Sequence, residues 1–231
     1  MPTVLDHRLW FPDPRSAETR PGLDGLVALG GDLSPPRLLL AYRSGIFPWT
    51  ANPITWWSPD PRGVLELNQL HLPRRLEGIL DRQVAWREEP GAEARPFQLS
   101  RDGSFEEVIR ECATRRTEGN WITPDFVQAY TRLHKMGHAH SVECWQHGEL
   151  AGGIYGVAIG GCFAGESMFH RVSNASKIAL WGLVQHLRRQ GFALLDVQVL
   201  NPTTRQLGAT NIDRDAYLAR LHAAVALPVS F

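Results

Sequence analysis

The 231-residue chain has few cysteines, no long apolar run and no visible targeting segment. Cys112, Cys144 and Cys162 are widely spaced and contain no C-x-x-C pair, so neither a disulfide framework nor a zinc knuckle is expected. The longest stretches without charge have 16 residues, fewer than the about 20 that a spanning helix needs, and in the one between Glu149 and Glu166 six of them are glycine, so no spanning helix is expected. The first residues lack a basic start followed by an apolar run, so no signal peptide is expected. These absences predict a cytoplasmic protein without a membrane segment.

The chain also has no excess of positive or negative charge. Lys+Arg and Asp+Glu are both 24, which argues against a general nucleic-acid coat, because non-specific backbone binding needs a positive excess. A local contact with one end of an RNA stays open. The 43% of hydrophobic residues and 21% of charged residues are typical of a globular chain rather than a disordered one.

The composition changes near residue 62. Residues 1–62 are rich in proline, glycine and tryptophan and contain one helix signal, from Ser34-Pro35 to Gly45. We interpret them as a small, irregular N-terminal domain, and residues 63–231 as a larger domain.

The larger domain alternates between helix and strand patterns. Residues 83–97 have the composition of an exposed connection, and helices are predicted after Ser104 and from Thr123-Pro124 to Gly137. Three strand-like runs follow, HAHSVECWQ, ELAGGIYGVAIG and CFAGESMFH, separated by hairpin signals that predict an antiparallel meander. A helix to Gln190, a strand over 192–200, a short helix and a last helix complete an α+β domain with a mostly antiparallel sheet.

The strand FALLDVQVL contains the most informative polar pair. With a period of two, Asp196 and Gln198 share one face of a strand that is otherwise apolar on both sides. Burying an ionised carboxylate is costly unless it is hydrogen-bonded, so the pair needs a compensating role. That role is either catalytic or a structural hydrogen bond to a neighbouring loop.

Glu166, in Gly165-Glu166-Ser167-Met168-Phe169, is the second candidate. A carboxylate at the end of a glycine-rich strand can orient a cationic substrate group or take a proton, or it simply lies at an exposed strand end.

Three other groups have weaker functional interpretations. The aromatic side chains can line an apolar pocket, stack on a base or pack in the core. His134, His138 and His140 lack a cysteine or carboxylate at metal-ligand spacing, so no metal is expected. The arginines of the segment RRLEGILDR form either a basic contact or a solvated helix face; they are Arg74, Arg75 and Arg82.

Taken together, the sequence resembles the bacterial leucyl/phenylalanyl-tRNA–protein transferases over most of its length. The resemblance rests on long aromatic-rich strings: GLVALGGDLSPPRLLLAYRSGIFPW, WWSPDPRGVL, WITPDFVQAYTRLHKMGHAHSVECW, LAGGIYGVAIGGCFAGESMF, NASKIAL and LLDVQV. It implies a larger domain with the acyl-CoA N-acyltransferase fold that uses no CoA or other cofactor. It also implies transfer of Leu or Phe, less well Met, from aminoacyl-tRNA to the N-terminal Arg or Lys of proteins, which marks them for N-end-rule degradation. We expect a monomer.

The resemblance also implies roles for individual residues. The D-x-Q motif falls on Asp196 and Gln198, and the G-E-S-M-F glutamate falls on Glu166; all three are expected to be catalytic. The three arginines of RRLEGILDR are the expected tRNA contacts because they form the best basic cluster outside the core, and not because the resemblance assigns them that role. The expected substrate-binding residues are Trp49, Trp121, Tyr130, Phe163, Ser167, Leu183 and Leu195. The chain departs from the family pattern at NPTTRQLGA, where Thr203 and Gln206 replace the usual His and Ser, so no catalytic role is assigned there.

Two alternatives come from other functional classes. A CoA-dependent N-acetyltransferase of the same fold needs a glycine-rich loop ahead of the helix that follows the meander, and the residues at that place are His170-Arg171-Val172-Ser173. A non-catalytic module binding charged tRNA or N-terminal peptides predicts binding without product. A structural scaffold leaves the buried polar pair unexplained.

Overall fold

A computed structural model describes residues 2–114 and 121–231. Within them the helices are α1 (Pro35–Arg43), α2 (Arg74–Gln83), α3 (Phe105–Thr114), α4 (Pro124–Lys135), α5 (Ala175–Gln190), α6 (Pro202–Gln206) and α7 (Arg214–Val225). The first strands are β1 (Thr3–Leu5), β2 (Leu26–Gly30), β3 (Phe47–Ala51), β4 (Ile54–Trp57), β5 (Arg62–Leu65) and β6 (Val84–Trp86). The later strands are β7 (Phe97–Arg101), β8 (Ala139–Gln146), β9 (Glu149–Ile159), β10 (Cys162–His170), β11 (Leu194–Gln198) and β12 (Thr210–Ile212). No helix of this described part has the length and apolar composition needed to cross a membrane.

The strands form two sheets. A four-stranded sheet near the N-terminus has the order β1-β2-β4-β3, and an eight-stranded sheet has the order β12-β5-β11-β10-β9-β8-β7-β6. In the larger sheet only the β10–β11 and β6–β7 pairs are parallel; the other neighbours are antiparallel. The predicted α+β class with a mostly antiparallel sheet is therefore confirmed, and so is the β8–β9–β10 meander.

Helices cover both faces of the larger sheet. Leu195 and Phe163 face α2 and α5 within one apolar cluster. Their chain neighbours Leu194 and Cys162 face α7 on the opposite side, where α1, α3 and α4 also pack. Because alternate residues of a strand point to opposite faces, β10 and β11 are buried on both sides.

Two sequence-based predictions need correction. Residues 83–97 do not form only an exposed connection: Val84 and Trp86 are buried in β6, which pairs in parallel with β7. The strand predicted over 192–200 is shorter, because the ladder between β11 and β5 shifts register after Asp196 and Gln198 takes a left-handed backbone conformation.

The division at residue 62 stays a prediction. The four-stranded sheet ends at Trp57, and β5 of the larger sheet begins at Arg62. One apolar cluster nevertheless contains Val27 and Trp56 together with Phe126 of α4, so side chains from both parts share a core.

Candidate active site

The candidate site lies where β10 and β11 separate. The two strands pair in parallel as far as Ala164 opposite Asp196. Beyond that level β10 shifts register between Gly165 and Ser167, and β11 shifts between Asp196 and Gln198. Because register shifts bend a strand and interrupt its ladder, two of them at the same level open a gap between neighbouring strands. Glu166 lies in the first shift, at the edge of this gap.

Glu166 is buried and surrounded by hydrogen-bond donors. Its side chain accepts the Tyr42 hydroxyl at 2.7 Å and the Gln198 amide nitrogen at 2.6 Å on Oε1, and the Tyr130 hydroxyl at 3.3 Å on Oε2. The two tyrosine hydroxyls, from α1 and α4, also contact each other. Such partners compensate the carboxyl group for the water that it loses on burial.

Burial shifts the protonation of this cluster. It raises the pKa of Glu166 to about 7, and the hydrogen bonds from Tyr42 and Gln198 oppose that rise. Burial, with the Glu166 carboxylate close by, also raises the pKa of Tyr42 and Tyr130 well above the ordinary value. The tyrosines therefore remain hydroxyl donors, while Glu166 exchanges its proton near neutral pH.

Asp196 forms a buried ion pair with Arg62. The guanidinium donates from Nε to Oδ1 at 2.9 Å and from Nη2 to Oδ2 at 2.7 Å, and both side chains are 1% exposed. The Tyr217 hydroxyl of α7 donates to Oδ2 at 2.8 Å, and the Gln198 backbone N–H donates to Oδ1 at 2.8 Å. The carboxylate thus has four donors on two oxygens and faces protein on all sides.

The Arg62 guanidinium lies between two aromatic rings. Its Cζ atom is 4.8 Å from the ring centroid of Phe47 and 4.4 Å from that of Tyr217. Burial, the largest single influence, lowers the pKa of Arg62, but the charge and hydrogen bonds of Asp196, together with smaller contributions from Tyr217 and Cys162, outweigh it, and the pKa rises above its ordinary value. Arg62 therefore stays charged.

Two cavities meet at Glu166. The first, of about 210 Å³, is lined by aromatic and β11-side residues: Phe47, Pro48, Trp49, Trp121, Glu166, Val197, Gln198, Val199, Leu200 and Asn201. The second, of about 670 Å³, extends between the separated strands towards α5 and α6. Its apolar lining consists of Leu65, Ile154, Met168, Leu180, Leu195, Val197 and Leu207, and its polar lining includes Ser167, Asn201, Thr203 and Thr204.

The expected substrate-binding residues do not form one pocket. Trp49 and Trp121 line the first cavity, whereas Ser167 and Leu195 line the second. Tyr130 belongs to neither lining, but its hydroxyl donates to Glu166. The remaining two lie away from both linings: Phe163 is buried against Phe231, and Leu183 is buried in α5.

The other sequence-based candidates lie apart from Glu166. Arg74, Arg75 and Arg82 are exposed on α2, whose apolar side packs beneath them. His140 and His134 both approach Asp102, at 2.8 and 3.8 Å, and residues 2–114 and 121–231 contain no cluster of side chains suited to a metal ion.

Sequence reasoning missed three residues of the site. Tyr42 belongs to the apolar stripe of α1, where it is indistinguishable from a core residue. Arg62 contacts a partner 134 positions away, and Tyr217 contacts one 21 positions away. The one signal for Arg62 in the sequence is a charged residue at the start of the apolar run Gly63-Val64-Leu65.

Two protein-family models match the chain, and both describe one family. The family model for leucyl/phenylalanyl-tRNA protein transferase matches residues 64–222, and the family model for the N-terminal domain of the same transferase matches residues 31–60. Among solved structures, the chain is similar to a GCN5-related N-acetyltransferase from Kribbella flavida, at a TM-score of 0.37 and 14% identity over 80% of this chain and 63% of that one. It is also similar to a ribosomal-protein-alanine N-acetyltransferase from Brucella melitensis biovar Abortus 2308, at a TM-score of 0.35 and 12% identity over 48% and 86%.

Curated relatives match nearly the whole chain. A leucyl/phenylalanyl-tRNA–protein transferase of Magnetococcus marinus is 51% identical over 214 residues, which cover 89% of this chain and 86% of the relative. The protein of the same name from Citrobacter koseri is 48% identical over 217 residues, or 93% and 87% of the two chains. With this identity and a family model that matches most of its length, the chain belongs to the leucyl/phenylalanyl-tRNA protein transferase family.

Proposed function

We propose that this protein is an aminoacyltransferase that moves Leu or Phe, and less well Met, from its tRNA to the N-terminal Arg or Lys of an acceptor protein. The observation that carries the proposal is the position of Glu166, a buried carboxyl group with a pKa of about 7, at the junction of two cavities. An aminoacyl-adenosine has an amino-acid side chain and a base on opposite sides of its ester. Two cavities on either side of one carboxyl group match that arrangement.

The second cavity suits the amino-acid side chain. Its walls are largely apolar, with Leu195 and Met168 from the separated strands and Leu180 from α5. An apolar pocket favours Leu and Phe, but one methylene is worth only about 1–3 kcal/mol, so discrimination against Met is expected to be incomplete. If the new N-terminal residue is Leu or Phe, that residue marks the acceptor protein for N-end-rule degradation.

The first cavity suits the terminal base of the tRNA. Trp49 is 38% exposed in the described structure, and Trp121 lines the same cavity. Every base has a π-face that stacks on an aromatic side chain, which is worth about 1–3 kcal/mol per base. Glu166 then lies near the ester and its free amino group.

The proposed reaction forms an amide and releases the ribose hydroxyl. The acceptor ammonium loses one proton to the Glu166 carboxylate, and the free amine attacks the ester carbonyl. As the C–O bond to ribose breaks, the leaving oxygen takes a second proton from the attacking nitrogen. Gln198, whose amide nitrogen donates to Glu166, can accept an N–H of the amine through its amide oxygen. A base with a pKa near the working pH is suited to this transfer, which typically contributes 10²–10⁴-fold.

The tRNA contact is proposed to extend to α2. Arg74, Arg75 and Arg82 are exposed, and the segment just before α2 is tied to α6 by the His71 N–H donating to the Leu207 carbonyl at 2.9 Å. This bond holds the start of α2 close to α6, which lines the second cavity. A tRNA end bound at that cavity would therefore have only a short distance to the basic side of α2. The protein is proposed to act as a monomer, and its use of charged tRNA supports a cytoplasmic setting.

CoA-dependent acetyl transfer is the second candidate, and the residues ahead of α5 do not suit it. Pyrophosphate binding in that fold uses backbone N–H groups before the helix. Here the N–H groups of Arg171 and Val172 both donate to the Ala151 carbonyl, at 2.7 and 3.1 Å. The Arg171 side chain is also engaged, by Glu111 and Glu107.

A transfer assay tests the proposal against both alternatives. Purified protein is incubated with labelled Leu-tRNA or Phe-tRNA and two peptides that differ only in N-terminal Arg or Ala. Label on the Arg peptide alone is the expected result. Consumption of acetyl-CoA without transfer from tRNA would favour the acetyltransferase, and binding of charged tRNA without product would favour a non-catalytic module.

A further inference from the structure

We infer that Arg62 is a positioning residue: by holding Asp196, it fixes the backbone turn that aims Gln198 at Glu166. The inference rests on the proposed function, since it explains how the D-x-Q pair would serve the transfer. It assigns Asp196 an indirect role as well. Neither residue touches the reacting atoms.

All hydrogen-bond acceptor sites of the Asp196 carboxylate are occupied by protein donors. Arg62 and the Tyr217 hydroxyl, together with the Gln198 backbone N–H, supply four donors to its two oxygens. An ionised carboxylate accepts about four hydrogen bonds, so none of its acceptor sites is left for a substrate amine. With 1% exposure, Asp196 is also out of reach of a substrate.

Gln198 has an unusual backbone conformation, which a hydrogen bond to Asp196 stabilises. Its φ of 63° lies in the left-handed region, which is strained for a residue with a Cβ. The hydrogen bond from its N–H to Asp196 Oδ1, at 2.8 Å, compensates that strain. The turn directs the side chain away from an ordinary strand position, and its amide nitrogen lies 2.6 Å from Glu166 Oε1.

Arg62 also contacts the segment that forms one wall of the first cavity. Nη1 donates to the Gly45 carbonyl at 3.0 Å, and the guanidinium packs on the Phe47 ring, which lines that cavity. One buried cation therefore fixes the segment carrying Phe47 and, through Asp196, the opposite wall carrying Gln198. A bidentate guanidinium can do this because its donors form a rigid fork, which an ammonium lacks.

The test compares Arg62→Lys with a matched control, Arg214→Met. Arg214 is also buried, at 9% exposure, and donates to the Ser58 carbonyl at 2.9 Å, but the described structure gives it no hydrogen bond to Asp196 or Gln198. The full chain is assayed for kcat and for KM towards both substrates, and hydrogen exchange of the Gln198 backbone amide is measured by NMR.

The expected results separate positioning from general destabilisation. Arg62→Lys lowers kcat by about 100-fold, the effect of a roughly 1 Å displacement, with KM values within about two-fold. Exchange of the Gln198 amide becomes at least about ten-fold faster, because its acceptor moves. Arg214→Met lowers the melting temperature but leaves kcat and Gln198 exchange close to those of the unaltered protein.

Three outcomes overturn the inference: an unchanged kcat in Arg62→Lys, an unchanged Gln198 exchange rate, or an equal loss of kcat in Arg214→Met. If Arg62→Lys does not fold, the double variant R62M/D196N serves instead, because it leaves no unpaired buried charge. Full activity of the double variant would also overturn the inference. Failure of the proposed function is distinguishable, since the unaltered protein would then transfer nothing while Gln198 exchange still reports on Arg62.

Discussion

Replacing Glu166 by Gln is expected to remove a pH dependence of stability that the fold creates. Burial raises the pKa of this carboxyl from 4.5 to about 7, so the folded protein holds the proton more tightly than the unfolded chain does. At about 1.4 kcal/mol per pKa unit, the difference corresponds to roughly 3 kcal/mol. This stabilisation is fully present below about pH 4.5 and is lost as the pH rises through about 7.

The measurement is urea unfolding of both proteins across that range, followed by tryptophan fluorescence. The chain has eight tryptophans, so the signal is strong. The free energy of unfolding of the unaltered protein minus that of Glu166→Gln should fall by roughly 3 kcal/mol between about pH 4.5 and 8. Subtraction cancels the titration of every carboxylate that the two proteins share. A difference that stays constant with pH would refute the reasoning.

Tyr42→Phe provides a directional control. The hydrogen bond from Tyr42 lowers the pKa of Glu166, so its removal should move the same loss of stability to higher pH.

The pH dependence of catalysis should follow the same group. The rate of transfer by the unaltered protein should rise through about pH 7, as the carboxylate forms, and this rising limb of the pH–rate profile should be absent from Glu166→Gln. A limb that persists in Glu166→Gln would assign the proton transfer to another group.

Three further predictions concern the cavities and the basic helix. Leu195→Ala should cost about 2–5 kcal/mol of unfolding free energy in urea and shift donor preference from Leu towards Phe, and an unchanged preference would place the acyl group elsewhere. Trp121→Ala should raise the KM for charged tRNA by about 5- to 150-fold while the KM for the peptide stays constant, with Trp121→Phe as the partial control. Replacing Arg74, Arg75 and Arg82 together by Ala should reduce the slope of log KM for tRNA against log salt by about 2–3, and an equal slope would exclude α2 from the contact.

Local signals made much of the fold predictable. Proline at the start of α1 and α4, and glycine just beyond them, mark helices whose ends differ little from the expected ones. His147-Gly148 and Gly160-Gly161 mark the turns of the meander, because positive φ angles are required there. The remaining pairings carry no such signal, because their connections are long or contain proline, which is why β6 and the four-stranded sheet were not predicted.

The site was predictable only as far as polarity on a buried strand reveals it. Asp196, Gln198 and Glu166 stand out because charged or amide groups interrupt apolar runs, and the structure brings all three together. Phe163 and Leu183 line neither cavity: Phe163 shares a sheet face with Leu195 but packs against Phe231 near the C-terminus, and Leu183 is buried in α5. Contacts between segments so far apart in the sequence leave no local signal.

The most direct test is a crystal structure with a non-hydrolysable phenylalanyl-adenosine, in which an amide replaces the ester. We predict that the phenyl ring lies between β10 and β11 against Leu195, that the amino group lies within hydrogen-bond distance of Glu166, and that the adenine stacks on Trp121. A phenyl ring in the tryptophan-lined cavity, with the amino group remote from Glu166, would contradict this prediction.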